Sequence, residues 1–103
     1  MIQHCVWVRF RPEVSAQQKS ALFEEIRALV GQVPGMRQVR HGVNARFEDL
    51  DHGFMDGFIA EFDDRKALQA YQDHPLHRET GRKLVAYAQG GLQGLLVFDL
   101  ASA

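Results

Sequence analysis

The chain has one cysteine, no long apolar run and almost no imbalance of charge, and each shortage excludes a class of function. Cys5 alone cannot close an internal disulfide, so the chain is expected in a reducing compartment. No stretch approaches the roughly 20 apolar residues of a membrane-spanning helix. The first residues, MIQHCVWVRF, do not form a signal peptide, because His4 and Arg9 interrupt any apolar core. Twelve Lys and Arg against thirteen Asp and Glu leave a net charge of −1, which offers no footprint for nucleic acid or an anionic membrane. Gly90, Gly91 and Gly94 lack phosphate-loop spacing, so no nucleotide site is indicated. There is no internal repeat or low-complexity segment. What is present is an ordinary globular composition, 46% hydrophobic and 24% charged over 103 residues. The expectation is a single domain spanning 1–103, soluble and cytoplasmic.

Periodicity supplies the elements. Ile2, His4, Val6, Val8 and Phe10 alternate with Gln3, Cys5, Trp7 and Arg9, predicting a first strand that Pro12 stops. Ser15 and Gln18 have capping-box spacing, and Leu22, Phe23, Ile26, Leu29, Val30 and Val33 follow at helical intervals up to VPG at 33–35. A second strand is predicted over 36–44, a polar connection over 45–53, and a third strand over 54–62. Asp63 or Asp64 caps the next helix, whose inward stripe is Ala67, Leu68 and Tyr71. Pro75 disfavours a helical His74 but suits the first turn of a new helix, so a break at His74 is predicted, with the second piece running to about Ala88. The Gly90-Gly91 pair closes it, and LQGLLVFDL supplies a final strand. The order β-α-β-β-α-β is that of an α+β ferredoxin-like sandwich, one antiparallel sheet with helices on one face.

The other face then carries Trp7, Met55, Ile59, Leu96 and Phe98. Each large apolar side chain left in water forgoes roughly 1.5–3 kcal/mol of burial. A patch of that size on a small domain calls for a partner. The simplest partner is a second copy, sheet face to sheet face, so a homodimer is expected.

The chemistry concentrates in YQDHPLH. His74 and His77 have loosely the spacing of two zinc ligands, but no third ligand stands at zinc-site spacing, so no metal is expected. On a restarted helix His77, Gly81, Leu84 and Ala88 share one stripe that borders the interior. Tyr71 lies on the inward stripe one turn before the break, and His4 shares its strand face with Val6 and Val8. These three polar groups can therefore meet at one end of a cavity between sheet and helices, walled by Val6, Phe23, Ile26 and Phe58. Two readings stay open. The trio is a proton-transfer site, for which histidine is suited near neutral pH, or it ties helix to sheet as satisfied core residues. Cys5 alternates onto the outer face as a small hydrophobe. His41 either lines the cavity or sits at a strand end, and His52 is expected in a solvated loop.

With His4 in HCVWVRF, PGM at 34–36, HGVN at 41–44, AYQDHPLH at 70–77 and VFD at 97–99, nearly the whole chain resembles the stress-responsive A/B barrel (Dabb) family. The most specific part is Tyr-x-x-His-Pro-x-His. The resemblance implies a dimeric α+β barrel that needs no cofactor and binds a small apolar or polyketide-like molecule. By the pattern of polyketide-cyclising members it implies His77 as general base, Tyr71 as its hydrogen-bond partner and His4 as the group that orients the substrate. The function expected first is ligand binding by such a dimer without catalysis; the alternatives are a cofactor-independent, polyketide cyclase-like enzyme using these residues, or a monooxygenase or isomerase of related dimeric barrels.

Overall fold

In the computed structural model, which describes residues 1–102, the N-terminal alternation becomes strand β1 (Ile2–Val8). His4, Val6 and Val8 are buried on its helix side, while Trp7 is half-buried on the other. Helix α1 (Ala16–Arg27) opens with the expected reciprocal cap. Gln18 N–H donates to Ser15 Oγ at 3.1 Å and Ser15 N–H donates to Gln18 Oε1 at 2.8 Å, an arrangement that stabilises a helix start by about 1 kcal/mol. Leu22, Phe23 and Ile26 form its buried stripe, and a 3-10 turn at Ala28–Gly31 adds Leu29.

Strand β2 (Met36–Val43) and strand β3 (Asp56–Phe62) follow. The third strand starts two residues later than the alternation predicts. Phe54 belongs to the preceding turn instead, where its N–H donates to the Asp51 carbonyl at 2.9 Å and its ring lies 4.7 Å from the Arg9 guanidinium carbon. The second helix breaks where the proline requires. Helix α2 (Arg65–Asp73) is capped by Asp64, whose Oδ1 accepts from Ala67 N–H at 2.9 Å. His74 is extended (φ −66°, ψ 133°), and helix α3 (Pro75–Tyr87) restarts with Pro75 in its first turn. His74 Nδ1 accepts the Leu76 N–H at 3.2 Å, so this imidazole is a helix cap. A 3-10 turn takes up Gly91–Gly94, and strand β4 (Leu95–Ala101) begins only after it. The turn is held by Arg9 N–H donating to the Gly94 carbonyl at 2.8 Å.

The four strands form one antiparallel sheet in the order β2-β3-β1-β4, with the helices packed on one face, the ferredoxin-like α+β arrangement. Pairing places residues in rows. On the helix side, Phe58–Val6–Val97 forms one row and Ala60–His4–Asp99 the next. On the outer side the rows are Ile59–Cys5–Phe98 and Gly57–Trp7–Leu96. The Trp7 ring lies so close over Gly57 that a Cβ there would overlap it. Strand β4 is an edge with no helix over most of its length. Leu96, Phe98 and Leu100 are 48%, 59% and 46% exposed on the outer face, so the apolar patch is centred there. No helix among the described residues is long and apolar enough to cross a membrane.

Candidate functional site

A cavity of about 260 Å³ lies between the sheet and the two helical pieces. Strands contribute His4, Val6, Phe58, Leu95 and Val97 to it. Ile26 comes from α1, Tyr71 and Gln72 from α2, and His77, Thr80, Gly81, Leu84 and Val85 from α3. The walls are thus mostly apolar, with polar groups gathered at the helix break, the composition usual for a small-molecule site. A wider depression of about 360 Å³ lies on the outer sheet face around Trp7, Gly42 and Gly57. It contains none of His4, Tyr71 and His77.

The break between helices sets the state of His77. Leu76 N–H is taken by His74, which leaves the Gln72 carbonyl at the end of α2 without its helical donor. His77 Nδ1 lies 3.2 Å from that carbonyl. A carbonyl only accepts, so the ring proton is on Nδ1 and Nε2 carries the basic lone pair. Burial holds the His77 pKa below its ordinary value, opposed by the bond to Gln72 and assisted by the nearby His4 and His74. The ring is therefore neutral at pH 7.

Tyr71 is 1% exposed, with its ring centroid 4.2 Å from that of His77 and the planes inclined by 52°. Burial pushes its hydroxyl pKa far above the ordinary tyrosine value, so the group stays protonated and can only serve as a neutral hydroxyl. The two side chains touch through their rings without a hydrogen bond between them. The direct hydrogen bond that the family resemblance implies for this pair is therefore not formed; His77 Nδ1 bonds the Gln72 carbonyl instead.

His4 enters from the sheet. Its ring meets Tyr71 edge-on at 5.9 Å and is 7% exposed. Its Nδ1 lies 2.5 Å from Asp99 Oδ1, across the β1–β4 pair that sets these residues opposite each other. Asp99 is the polar partner that local sequence patterns do not single out. The signal for it was the aspartate of VFD, legible only once the strand pairing is known.

The structure gathers His4, Tyr71 and His77 around one cavity with Val6, Ile26 and Phe58. Phe23 is not among its walls. Lying three residues before Ile26 on α1, it stacks instead on His41 (5.1 Å, 26°) and lines a separate small depression with it. His41 is accordingly outside the main cavity. Trp7, Met55 and Ile59 are half-buried, Met55 from just outside β3, while Leu96 and Phe98 are exposed. Burial raises the Cys5 pKa, which suits a packing thiol. His52 lies in the exposed connection with φ 52°. His74 and His77 are separately engaged, one as a cap and the other on a carbonyl. Thr80, Gly81, Leu84 and Val85 extend the His77 stripe along α3 and complete the apolar wall.

The Stress Responsive A/B Barrel Domain model matches residues 2–101. Olivetolic acid cyclase from Cannabis sativa is 24% identical over 98 residues, covering 95% of this chain and 93% of that protein. A dimeric ferredoxin-like protein of unknown function from Jannaschia sp. CCS1 superposes with a TM-score of 0.92 at 33% identity, over 98% of each chain. Hydroxynitrile lyase from Passiflora edulis superposes with a TM-score of 0.84 at 16% identity, over 99% of this chain and 93% of that one, a likeness of fold alone.

Proposed function

The chain belongs to the stress-responsive A/B barrel domain family, and on that premise we propose a single-domain homodimer whose cavity binds a small, largely apolar carbonyl compound and moves a proton on it without a cofactor. The observation that carries this reading is the neutral His77, with Nε2 as its free basic nitrogen, beside a protonated Tyr71 at the polar end of an open cavity. A group that only tied helix to sheet would have its polar atoms satisfied within the protein. Here one imidazole nitrogen and one hydroxyl remain for a guest.

In the reaction we infer, His77 Nε2 removes a proton from the carbon next to the carbonyl. The electron pair of that C–H bond moves onto the carbonyl oxygen, where the Tyr71 hydroxyl donates to the growing negative charge. His4 Nδ1–H donates to Asp99 Oδ1, so its Nε2 faces away from the carboxylate and can accept from a substrate hydroxyl, orienting the molecule. The resulting enolate carbon can then bond to a second carbonyl of the same molecule. That would give a cyclisation of the kind the name of the Cannabis sativa relative describes. Return of the proton would instead give simple exchange.

The homodimer rests on the apolar outer face and on the dimeric description of the Jannaschia protein. The lone buried cysteine suits a cytoplasmic setting. The test is deuterium exchange at the α-carbon of an aryl methyl ketone, followed by NMR in heavy water. Exchange faster than buffer, abolished in His77→Ala, is the expected result. A ketone that binds but never exchanges above buffer would eliminate the enzymatic half and leave a ligand-binding dimer.

A further inference from the structure

We propose that Gly81 is the specificity-determining residue of this cavity, its missing side chain making room for the apolar body of the ligand; this rests on the reading of the cavity as a ligand site. Gly81 lies inside α3, one turn beyond His77, and lines the same cavity. Glycine is among the poorest residues for a helix interior, so its place there requires a reason. The two common structural reasons fail. Its φ is outside the left-handed region where glycine is favoured, unlike Gly90 and Gly91 at the end of the helix. Nor is it a point of close packing, because outside its own helix turn no heavy atom comes within 4 Å of the Cβ that an alanine would carry. Gly57, by contrast, is held by the Trp7 ring against it. What remains on the cavity side of Gly81 is open volume.

The position gives that volume a chemical meaning. His4, Tyr71 and His77 mark the polar end, and Leu84, Val85 and Leu95 lie further along the apolar wall. Gly81 sits between the two, one helical turn from His77. No Lys, Arg, Asp or Glu lines the cavity. The guest is therefore an uncharged molecule with a carbonyl or hydroxyl head at the break and an apolar body passing over Gly81.

The test uses phenol and para-butylphenol as probes, titrated by calorimetry into the wild-type protein, Gly81→Ala and Gly81→Leu, with the melting temperature of each unliganded protein. Alanine is the better helix former and meets no protein atom, so Gly81→Ala should melt at or above the wild-type temperature. It should weaken para-butylphenol by about tenfold, the scale of overpacking by one methyl group, while leaving phenol nearly unchanged. Gly81→Leu should abolish para-butylphenol binding. Equal affinity of wild type and Gly81→Ala for para-butylphenol would overturn the role of Gly81 alone. A lower melting temperature with uniform loss of both probes would make it a structural glycine. Failure of the wild-type protein to bind either probe would remove the cavity reading and this proposal with it.

Discussion

Asp99 Oδ1 lies 2.5 Å from His4 Nδ1, across a pair of strands that meet only when the ends of the chain come together. The carboxylate fixes which imidazole nitrogen carries the proton and leaves the other for the cavity. A hydrogen bond to a charged group contributes about 1.5–3 kcal/mol. Asp99→Ala should therefore lower catalysed deuterium exchange by about tenfold or more. Asp99→Asn, which keeps an acceptor, should lose less. Exchange unchanged in Asp99→Ala would mean that His4 needs no orientation.

His77 separates catalysis from packing. It is half-buried, so His77→Ala should cost little in melting temperature, while exchange falls by about a hundredfold or more. If the melting temperature drops steeply and exchange per folded molecule does not, the histidine is a brace.

The pH dependence follows from the direction of the His77 shift. Burial places the folded pKa below the ordinary value of about 6.5, so the base is neutral at pH 7. Exchange should be flat above that value and decline as pH falls through the lowered folded pKa. Stability moves the same way. The unfolded ring takes its proton first, so the stability present above the unfolded pKa declines below it, until the folded ring is also protonated. Urea melts of wild type and His77→Gln across this range should show a shallower acid decline in the variant.

The outer face should hold a second copy. Sedimentation of the wild-type protein should give twice the 11.7 kDa chain mass, and Leu96→Glu combined with Phe98→Asp should give the single mass. Both residues are about half exposed or more in the isolated chain, and each buries roughly 1.5–3 kcal/mol of apolar side chain if covered. A wild-type monomer at micromolar concentration would end the dimer reading.

His74 is the control. As the shared cap of α2 and α3 it should stabilise by about 1 kcal/mol, so His74→Ala should lower the melting temperature by about 4–8 °C. Exchange per folded molecule should persist. Loss of exchange without loss of stability would move His74 into the site.

Most of the fold is visible in local patterns because its signals are local. The period of two in residues 2–8, the Ser15–Gln18 box and the His74-Pro75 pair each act through neighbours within a few positions. The errors arise where distant residues decide. Phe54 alternates like a strand residue but is drawn into a turn beneath Arg9, some 45 positions earlier. The segment 92–94 reads as strand until Gly94 is seen accepting from Arg9. Phe23 shares the inward stripe of α1, but its ring packs among Phe10, His41 and Phe58, residues distant in sequence, and does not line the cavity. Tyr71 and His77 come together as their spacing suggests, yet the proton on His77 depends on a carbonyl that the helix break sets free. Asp99 could not be found locally, since its partner lies near the other end of the chain.

The pairing of His4 with Asp99 also bears on how the last strand finds its place. Strand β4 is a bare edge, the kind of element that can slide along its neighbour or recruit a foreign strand. Sliding by one residue would turn Asp99 out to solvent and swing Phe98 inward beside a histidine that had lost its carboxylate. Such a misaligned chain would leave His4 buried without its partner. The His4–Asp99 contact would thus favour the native register over a slipped one, before any ligand arrives.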